Sequence, residues 1–181
     1  MMQLSDNEIV ARIKTGQDPN KAFRALIEKY QERLYWHIRR MIINHDDTDD
    51  VLQNVFIKTW KGLANFREDS NLYTWLYRIA TNESITFINK KKKENNIPID
   101  NESYHLHAGQ SDYLMDCDEI QEKLEKALLT LPEKQRAVFH MKYYEDMKYT
   151  QMSEVVGTSV GALKASYHIA VKKIEHYLIE N

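Results

Sequence analysis

The sequence has few of the residues that interrupt helices or join segments covalently. Its 181 residues include one cysteine, three prolines and five glycines. A single cysteine excludes an internal disulfide and is typical of proteins from a reducing compartment, so we expect a cytoplasmic location. No apolar run approaches the roughly 18 residues that a membrane-spanning helix needs. The first residues also lack the apolar segment of a secretory signal. These features predict a globular protein that is not inserted in a membrane.

Motifs for catalysis and for metal binding are also missing. The patterns G-x-x-x-x-G-K, H-E-x-x-H and C-x-x-C do not occur, which leaves nucleotide hydrolysis and structural zinc without support. The acidic run Asp46–Asp50 could suggest a nuclease-like metal site, but no general base accompanies it. His105 and His107 occur in a polar segment, where a chance pairing is the simpler interpretation. We therefore predict no enzymatic activity, no cofactor and no metal.

Positive charge is scarce overall, but it is unevenly distributed. The net charge is −2. Residues 1–94 contain 16 Lys and Arg against 13 Asp and Glu, a charge of +3. Residues 95–117 contain four acids and no base, and residues 118–181 contain 9 bases and 10 acids. A nucleic-acid-binding protein with this balance should bind free DNA weakly and depend on a partner.

Apolar residues recur at spacings of three and four through most of the chain, which predicts helices. Ser5 followed by Glu8 predicts a capping box for a first helix. Asp18 before Pro19 predicts an N-cap residue followed by proline at the first helical position. Val51, Val55 and Trp60 belong to the apolar stripe of a later helix, and we assign Trp60 to the core.

The helical pattern stops between two parts of the chain. Residues 95–117 contain Pro98, Gly109 and scattered polar residues without periodicity, which predicts a flexible linker. Periodicity resumes after it, and no segment shows two-residue alternation. We therefore predict an all-α fold of two small helical domains, residues 1–94 and residues 118–181.

The end of the chain predicts a helix-turn-helix. Thr150 is placed to cap a short helix, Gly157 to adopt a left-handed turn conformation, and Thr158 or Ser159 to cap the next helix. Two helices joined by a short turn with glycine form this unit, whose second helix enters the major groove of DNA. By itself the pattern also fits a plain helical hairpin with a solvated face.

Two blocks of sequence then resemble one family. Residues 46–93, DDTDDVLQNVFIKTWKGLANFREDSNLYTWLYRIATNESITFINKKKK, resemble the most characteristic stretch of sigma-70 family transcription initiation factors. Residues 128–175, LLTLPEKQRAVFHMKYYEDMKYTQMSEVVGTSVGALKASYHIAVKKIE, resemble the C-terminal helix-turn-helix of the same family. Because only a short linker separates the blocks, the chain resembles the extracytoplasmic-function (ECF) subgroup of RNA polymerase sigma factors.

The resemblance assigns a polymerase-binding role to the helix that follows the acidic run. In the family this surface docks on the clamp helices of core RNA polymerase. The residues of this chain that the resemblance places there are Asp49, Asp50, Gln53 and Phe56.

The resemblance places the −10 promoter element on the N-terminal domain. A loop there captures a base flipped out of the melted strand, which needs an aromatic face and polar groups. Phe66 could supply the aromatic face for the flipped base. It could equally well fill the core beneath the loop. The lysines at the end of the next helix suit phosphate contact, with helix-dipole stabilisation as the alternative. The −10 candidates are Phe66, Arg67, Asp69, Ser70, Asn71, Arg78, Asn82, Lys90, Lys91, Lys92 and Lys93.

The resemblance places the −35 element on the recognition helix of the C-terminal domain. Small residues near its start let the backbone approach DNA closely, and its polar side chains reach phosphates or base edges. The chain has Thr86 where the family often has Asp, and its recognition helix lacks the usual arginines. The −35 candidates are Ser159, Gly161, Ala162, Lys164, Ser166, His168 and Lys172.

The sequence therefore predicts a promoter-recognition subunit that acts within the polymerase. Its expected partners are core RNA polymerase, promoter DNA and, by resemblance alone, an anti-sigma factor. The alternative is a stand-alone helix-turn-helix regulator with an N-terminal dimerisation or ligand domain. A nucleic-acid enzyme that uses the acidic run is a remote third possibility.

Overall fold

The computed structural model describes residues 4–94 and 119–180. These residues form eight α helices and no β strand, as the all-α prediction requires. None of these helices is long and apolar enough to cross a membrane. The predicted linker, with Cys117, His105 and His107, lies outside the described residues. The helices are α1 (Asp6–Thr15), α2 (Pro19–Ile42), α3 (His45–Leu63), α4 (Leu72–Glu94), α5 (Glu119–Leu129), α6 (Glu133–Tyr143), α7 (Tyr149–Val156) and α8 (Val160–Glu180).

The first helix start matches the sequence prediction fully, and the second matches it in position. The backbone N–H of Glu8 donates to Ser5 Oγ at 3.3 Å, and the backbone N–H of Ser5 donates to Glu8 Oε2 at 2.8 Å, which is the predicted capping box. Pro19 is the first residue of α2, but the Asp18 side chain makes no capping hydrogen bond. The backbone of Asp18 is left-handed, with φ of 51°, and its carbonyl accepts from the N–H of Ala22 at 3.0 Å. Asp18 is therefore the N-cap residue that the sequence predicted, but its side chain does not cap the helix.

Helices α1 to α4 pack around the apolar stripes that the periodicity predicted. Helix α2 packs against α1, α3 and α4, and its residues Leu26, Leu34 and Ile38 are fully buried. Val55 of α3 and Leu76 of α4 complete this core. The loop between α3 and α4 is thereby fixed at both ends on a rigid scaffold.

Helices α5 to α8 form the second domain around α8. Both α5 and α6 pack against α8 through a small core that contains Leu128, Leu131, Phe139 and Ile174. Helix α7 packs against α8 as well, and Leu163 is the buried residue of α8 nearest its start. This domain supports α8 from one side and leaves most side chains on the other side of α8 exposed.

The two domains pack against each other. Helix α7 lies against α4, and α6 contacts both α2 and α4. Buried residues of the N-terminal domain, among them Leu76 and Tyr77, belong to one apolar cluster with Met141, Met152 and Val155 of the C-terminal domain. The sequence predicted two bodies on a tether, and it contained no sign of this common core.

Candidate nucleic-acid interface

The loop between α3 and α4 borders a cleft of about 450 Å³. The backbone N–H groups of Asn65 and Phe66 bond back to the carbonyls at the end of α3, at 3.1 Å each. These bonds hold the loop as an ordered extension of the helix end. The side chains around the cleft are aromatic, cationic, anionic and amide, a set that can stack on a base and bond to its edge. The lining consists of Gly62, Asn65, Phe66, Arg67, Asp69, Ser70, Trp75, Arg78 and Glu154.

Phe66 lies at the boundary between the core and this cleft. Its side chain is only 6% exposed, and its ring centroid is 5.0 Å from that of Trp75. The Trp75 ring packs closely against Gly62. A Cβ at position 62 would lie 3.1 Å from this ring, so a larger residue there would crowd Trp75. Phe66 therefore plugs the core as one alternative predicted, while one part of it still lines the cleft.

The other candidates for the −10 strand form a polar surface along the loop and α4. Arg67, Asp69, Asn71, Arg78 and Asn82 are exposed, and Ser70 is half-buried. Their placement on one loop and the helix that follows it is what a surface that tracks a single strand requires. Their contacts with DNA stay a prediction.

The four consecutive lysines at the end of α4 are not equivalent. Lys90 and Lys93 are exposed, and Lys90 approaches Glu94 at 3.8 Å. Lys91 is ion-paired with Asp47 of α3. Lys92 is only 5% exposed and is ion-paired with Glu133 of the C-terminal domain. Contact between Lys92 and a phosphate therefore requires the Lys92–Glu133 pair to separate.

The helix-turn-helix forms where the sequence predicted it. Gly157 ends α7 in a left-handed conformation with φ of 69°. Ser159 caps α8, because its Oγ accepts from the backbone N–H of Ala162 at 3.3 Å. Helix α7 begins at Tyr149, after Lys148, so the prediction of Thr150 as its cap was wrong. The N–H of Lys148 donates instead to Gln151 Oε1 at 3.2 Å.

The candidate −35 residues lie on the open side of α8. Ser159, Gly161, Ala162, Lys164, His168 and Lys172 are exposed, and Ser166 is half-buried. A Cβ added to Gly161 would meet nothing within 4 Å, so no internal contact requires glycine there. The Lys164 ammonium lies 5.8 Å from the centroid of the Tyr149 ring, which makes Tyr149 a neighbour of this surface that the sequence did not indicate.

The candidate polymerase surface on α3 is polar with an aromatic edge. Asp49, Asp50 and Gln53 are exposed, and Asp49 Oδ2 lies 3.2 Å from Nδ1 of His45. Phe56 is half-buried, with its ring edge toward Phe23 at a centroid distance of 6.4 Å. These four candidates share one helix and one end of the domain.

Two large apolar residues of α3 are exposed. Trp60 is 41% exposed and Ile57 is 44% exposed, so the assignment of Trp60 to the core was wrong. The Trp60 ring packs edge-on against Phe23 at 4.9 Å. Large exposed apolar side chains beside polar ones are typical of protein-binding surfaces.

A cluster of charged and phenolic groups at the domain contact was missed by sequence reasoning. Glu145 Oε2 accepts from Arg33 at 2.9 Å and from the Tyr73 hydroxyl at 3.4 Å, and Arg40 approaches Glu145 Oε1 at 3.9 Å. The Glu145 side chain is only 10% exposed. Burial raises the pKa of Tyr73 and Tyr77, and the nearby carboxylate of Glu145 contributes to both shifts. No spacing in the sequence connects residues this far apart, so only the fold brings this Glu145 cluster together.

Buried histidines lie beside the Glu145 cluster. His37 is 1% exposed, and its Nε2 lies 2.9 Å from the Thr81 hydroxyl. Burial lowers the pKa of His37 to about 4, which the carboxylate of Glu145 partly opposes. Burial also lowers the pKa of His140 well below its ordinary value, with a further contribution from Arg136. Both imidazoles are therefore neutral near pH 7.

Comparison with known proteins assigns this arrangement to a family. The family model for sigma-70 region 2 matches residues 26–94, and the model for sigma-70 region 4 matches residues 121–174. The RNA polymerase sigma-H factor of Pseudomonas aeruginosa is 28% identical, over 98% of this chain and 96% of the relative. The ECF RNA polymerase sigma-E factor of Escherichia coli K12 is 27% identical, over 96% and 94% respectively.

Solved structures agree at the level of the fold. CnrH, solved in complex with the cytosolic domain of CnrY, superposes with a TM-score of 0.70 at 22% identity, over 97% of this chain and 98% of CnrH. The sigma factor RpoE of Bartonella quintana, solved in complex with the anti-sigma factor NepR, gives 0.68 at 21% identity, over 87% of this chain and 97% of RpoE. The two family regions occur in the expected order along the chain, and the curated relatives align over nearly its full length. The chain belongs to the sigma-70 family of RNA polymerase sigma factors, in its ECF subgroup.

Proposed function

We propose that this chain directs promoter recognition by core RNA polymerase, with its N-terminal domain on the −10 element and its C-terminal domain on the −35 element. One observation carries the proposal. A helix-turn-helix with an exposed recognition face and a polar, aromatic-walled cleft occur in one chain, in the order that the two family regions prescribe. The helix-turn-helix suits duplex DNA, and the cleft suits a base from a single strand. A protein with both surfaces on separate domains can bind a duplex and help to melt it.

The role is one of binding. The cleft contributes stacking faces and hydrogen-bonding groups that suit the capture of a base. The chain acts in the cytoplasm, where polymerase and chromosome are located, and chain elongation belongs to the polymerase. The weak overall charge fits this division, because the polymerase supplies most of the affinity for promoter DNA.

The polymerase contact of the proposal rests on α3. Asp49, Asp50 and Gln53 are exposed beside Phe56, and the exposed apolar side chains of Ile57 and Trp60 extend the same region. An anti-sigma factor is a further partner by analogy with the Bartonella quintana relative, which was solved with one.

Run-off transcription with purified core polymerase and a pool of genomic promoters tests the proposal. We expect promoter-specific transcripts that depend on adding this chain, together with comigration of the chain and core polymerase. A stand-alone regulator would instead bind a palindromic operator without polymerase. Absence of association with core polymerase under all conditions would refute the proposal.

A further inference from the structure

One exposed side chain of the recognition helix is large and apolar. Ile169 of α8 is 45% exposed, and it directly follows His168, one of the candidate −35 residues. The buried residues of α8 are Leu163, Ala170 and Ile174, so Ile169 is not among the side chains that attach the helix to its domain. Its place on the recognition helix makes its exposure relevant to DNA binding.

Ile169 shares one face of α8 with two exposed alanines. Ala162, Ala165 and Ile169 follow one another at spacings of three and four residues, which places them in line along a helix, and all three are exposed. This apolar line extends about 10 Å along the helix axis, which equals the rise of about three base pairs. Lys164 and Lys172 are also exposed, and their ammonium groups suit the phosphates at the edges of a groove.

Side chains that bond to the edge of one kind of base are scarce on this helix. Guanine is read by Arg or Lys, adenine by Asn or Gln, and cytosine by Asp or Glu. Residues 155–174 contain no Arg, Asn, Gln, Asp or Glu. Only lysine remains from that set, and lysine also serves phosphates. His168 is exposed and Ser166 is half-buried, so most of the surface that meets the bases is apolar.

Thymine is the base that presents an apolar group in the major groove. Its 5-methyl group projects there, whereas cytosine presents an amino group and the purines present N7 with an amino or carbonyl group. An apolar side chain opposite those polar atoms would leave them without partners. Against thymine it buries a methyl group instead, and burial of one such group strengthens binding roughly fourfold.

We propose that Ile169 is a specificity-determining residue of the −35 surface, and that it packs with Ala165 against thymine methyl groups in the major groove. The chain therefore selects −35 elements that have A·T pairs where the apolar line meets the bases. Ala162 and Ala165 leave room for the helix to approach the methyl groups closely. This inference rests on the proposed function of α8, and it adds the kind of base that the helix reads.

Replacement of thymine by uracil tests this contact, because uracil differs from thymine only in lacking the 5-methyl group. The probe is a duplex of a promoter that the run-off assay identifies, with each thymine of its −35 element replaced in turn by deoxyuridine. Holoenzyme that contains the full chain is titrated against each duplex. We expect roughly fourfold weaker binding when the replaced thymine faces the apolar line. Equal binding of all the duplexes would overturn the proposal.

Two isoleucines of α8 provide the variant and its matched control. Ile169→Ala shortens the side chain that is proposed to contact the methyl group, whereas Ile179→Ala makes the same change at a position that is 84% exposed near the end of the helix. We expect the ratio of thymine to uracil binding to fall below about twofold in Ile169→Ala and to stay at about fourfold in Ile179→Ala. The same ratio in both variants would contradict the role of Ile169.

A change of specificity gives a second readout. Ile169→Arg introduces the side chain that reads guanine. When the A·T pair that is sensitive to uracil is replaced by G·C, we expect this variant to gain roughly tenfold in relative affinity over the wild type. An unchanged preference would place position 169 outside the groove and overturn the proposal.

These results are separate from the test of the proposed function. If the wild-type chain supports transcription but its holoenzyme binds thymine and uracil duplexes equally, only the inference about Ile169 fails. If the wild-type chain gives no polymerase-dependent transcript, the proposed function itself fails.

Discussion

The two proposed DNA surfaces differ in how far the protein's own side chains already occupy them. In the N-terminal domain, Phe66 is mostly buried, Lys91 is paired with Asp47, and Lys92 is buried against Glu133. On the recognition helix α8, six of the seven candidates are exposed, and Ser166 is half-buried. The other −10 candidates are mostly exposed as well, so it is Phe66, Lys91 and Lys92 that must lose internal contacts before they can bind DNA.

The difference is related to the kind of DNA that each surface reads. A recognition helix docks on an intact duplex, which its exposed side chains can contact directly. A surface for a melted strand needs aromatic and cationic groups, which the chain can equally well satisfy internally.

The largest expected effect concerns the Lys92–Glu133 ion pair between the two domains. Glu133→Ala leaves the buried ammonium of Lys92 without its carboxylate, and breaking a buried pair from one side costs about 3 kcal/mol. Urea unfolding measures the loss in the free energy of unfolding. Lys134→Ala, at the exposed neighbouring position, should change it by less than about 0.5 kcal/mol. Equal small losses in both variants would mean that the domains are apart in solution, and the contrast between the two surfaces would disappear.

The second largest effect is expected from acid, which should lower the free energy of unfolding through two buried histidines. His37 and His140 are buried and neutral, so their pKa values in the folded state lie below the ordinary value of 6.5. The unfolded chain then binds more protons below that pH, and the free energy of unfolding falls as the pH drops from 6.5 towards 4. From about pH 6.5 to about pH 5.5 the two residues together should remove about 2 kcal/mol.

Urea unfolding at the two pH values checks this dependence. His140→Gln should remove about half of the acid sensitivity, whereas His168→Gln, at an exposed position, should leave it unchanged. An unaltered pH dependence in His140→Gln would show that His140 is accessible to protons in the folded chain.

A smaller effect is expected at the polymerase surface, which the domain contact leaves exposed. Asp50→Ala should weaken binding to core polymerase by roughly tenfold, equivalent to about 1.4 kcal/mol, with little effect on DNA recognition. Fluorescence anisotropy of the labelled chain measures this affinity. Asp46→Ala removes the same charge from another exposed position of α3 and serves as the control. Unchanged affinity in Asp50→Ala would remove Asp50 from the docking surface.

Substitution of Lys164 tests the −35 surface on α8. Lys164→Ala should cost about 1 kcal/mol of promoter binding and reduce the slope of the salt dependence by about one. Footprinting of the holoenzyme should show the loss in the −35 part only. Lys21→Ala, at an exposed position of α2, should leave the footprint intact. A normal −35 footprint for Lys164→Ala would count against its role.

The smallest effect is expected for Gly161→Ala, which should affect DNA binding but hardly affect stability. A Cβ there meets no other atom of the chain, so Gly161→Ala should leave the free energy of unfolding unchanged or raise it by up to about 1 kcal/mol. Binding of duplex −35 DNA should nevertheless weaken, because the added methyl group prevents close approach of the backbone. Thermal unfolding and −35 binding by the same variant measure both effects. Full binding by this variant would show that the backbone does not approach the DNA closely at this position.

Local chemistry made part of this structure predictable. Ser5 and Glu8 form the predicted capping box, Gly157 adopts the predicted left-handed conformation, and Ser159 caps α8. Each of these features depends on residues close together in the chain. The failure at Thr150 is local too, since α7 begins one residue earlier at Tyr149, while Asp18 occupies the predicted N-cap position without a capping bond from its side chain.

The sequence by itself determined the all-α class, the helix-turn-helix and the family. These features depend on spacings and motifs among residues that are close together in the chain. Only the tertiary structure decided that Trp60 is exposed, that Lys92 pairs with Glu133, and that Glu145 meets Arg33. These contacts join positions far apart in the chain, and they depend on the shape of the apolar surfaces that pack the domains together. Charge and periodicity specify which groups can pair, but packing selects the pairs that form.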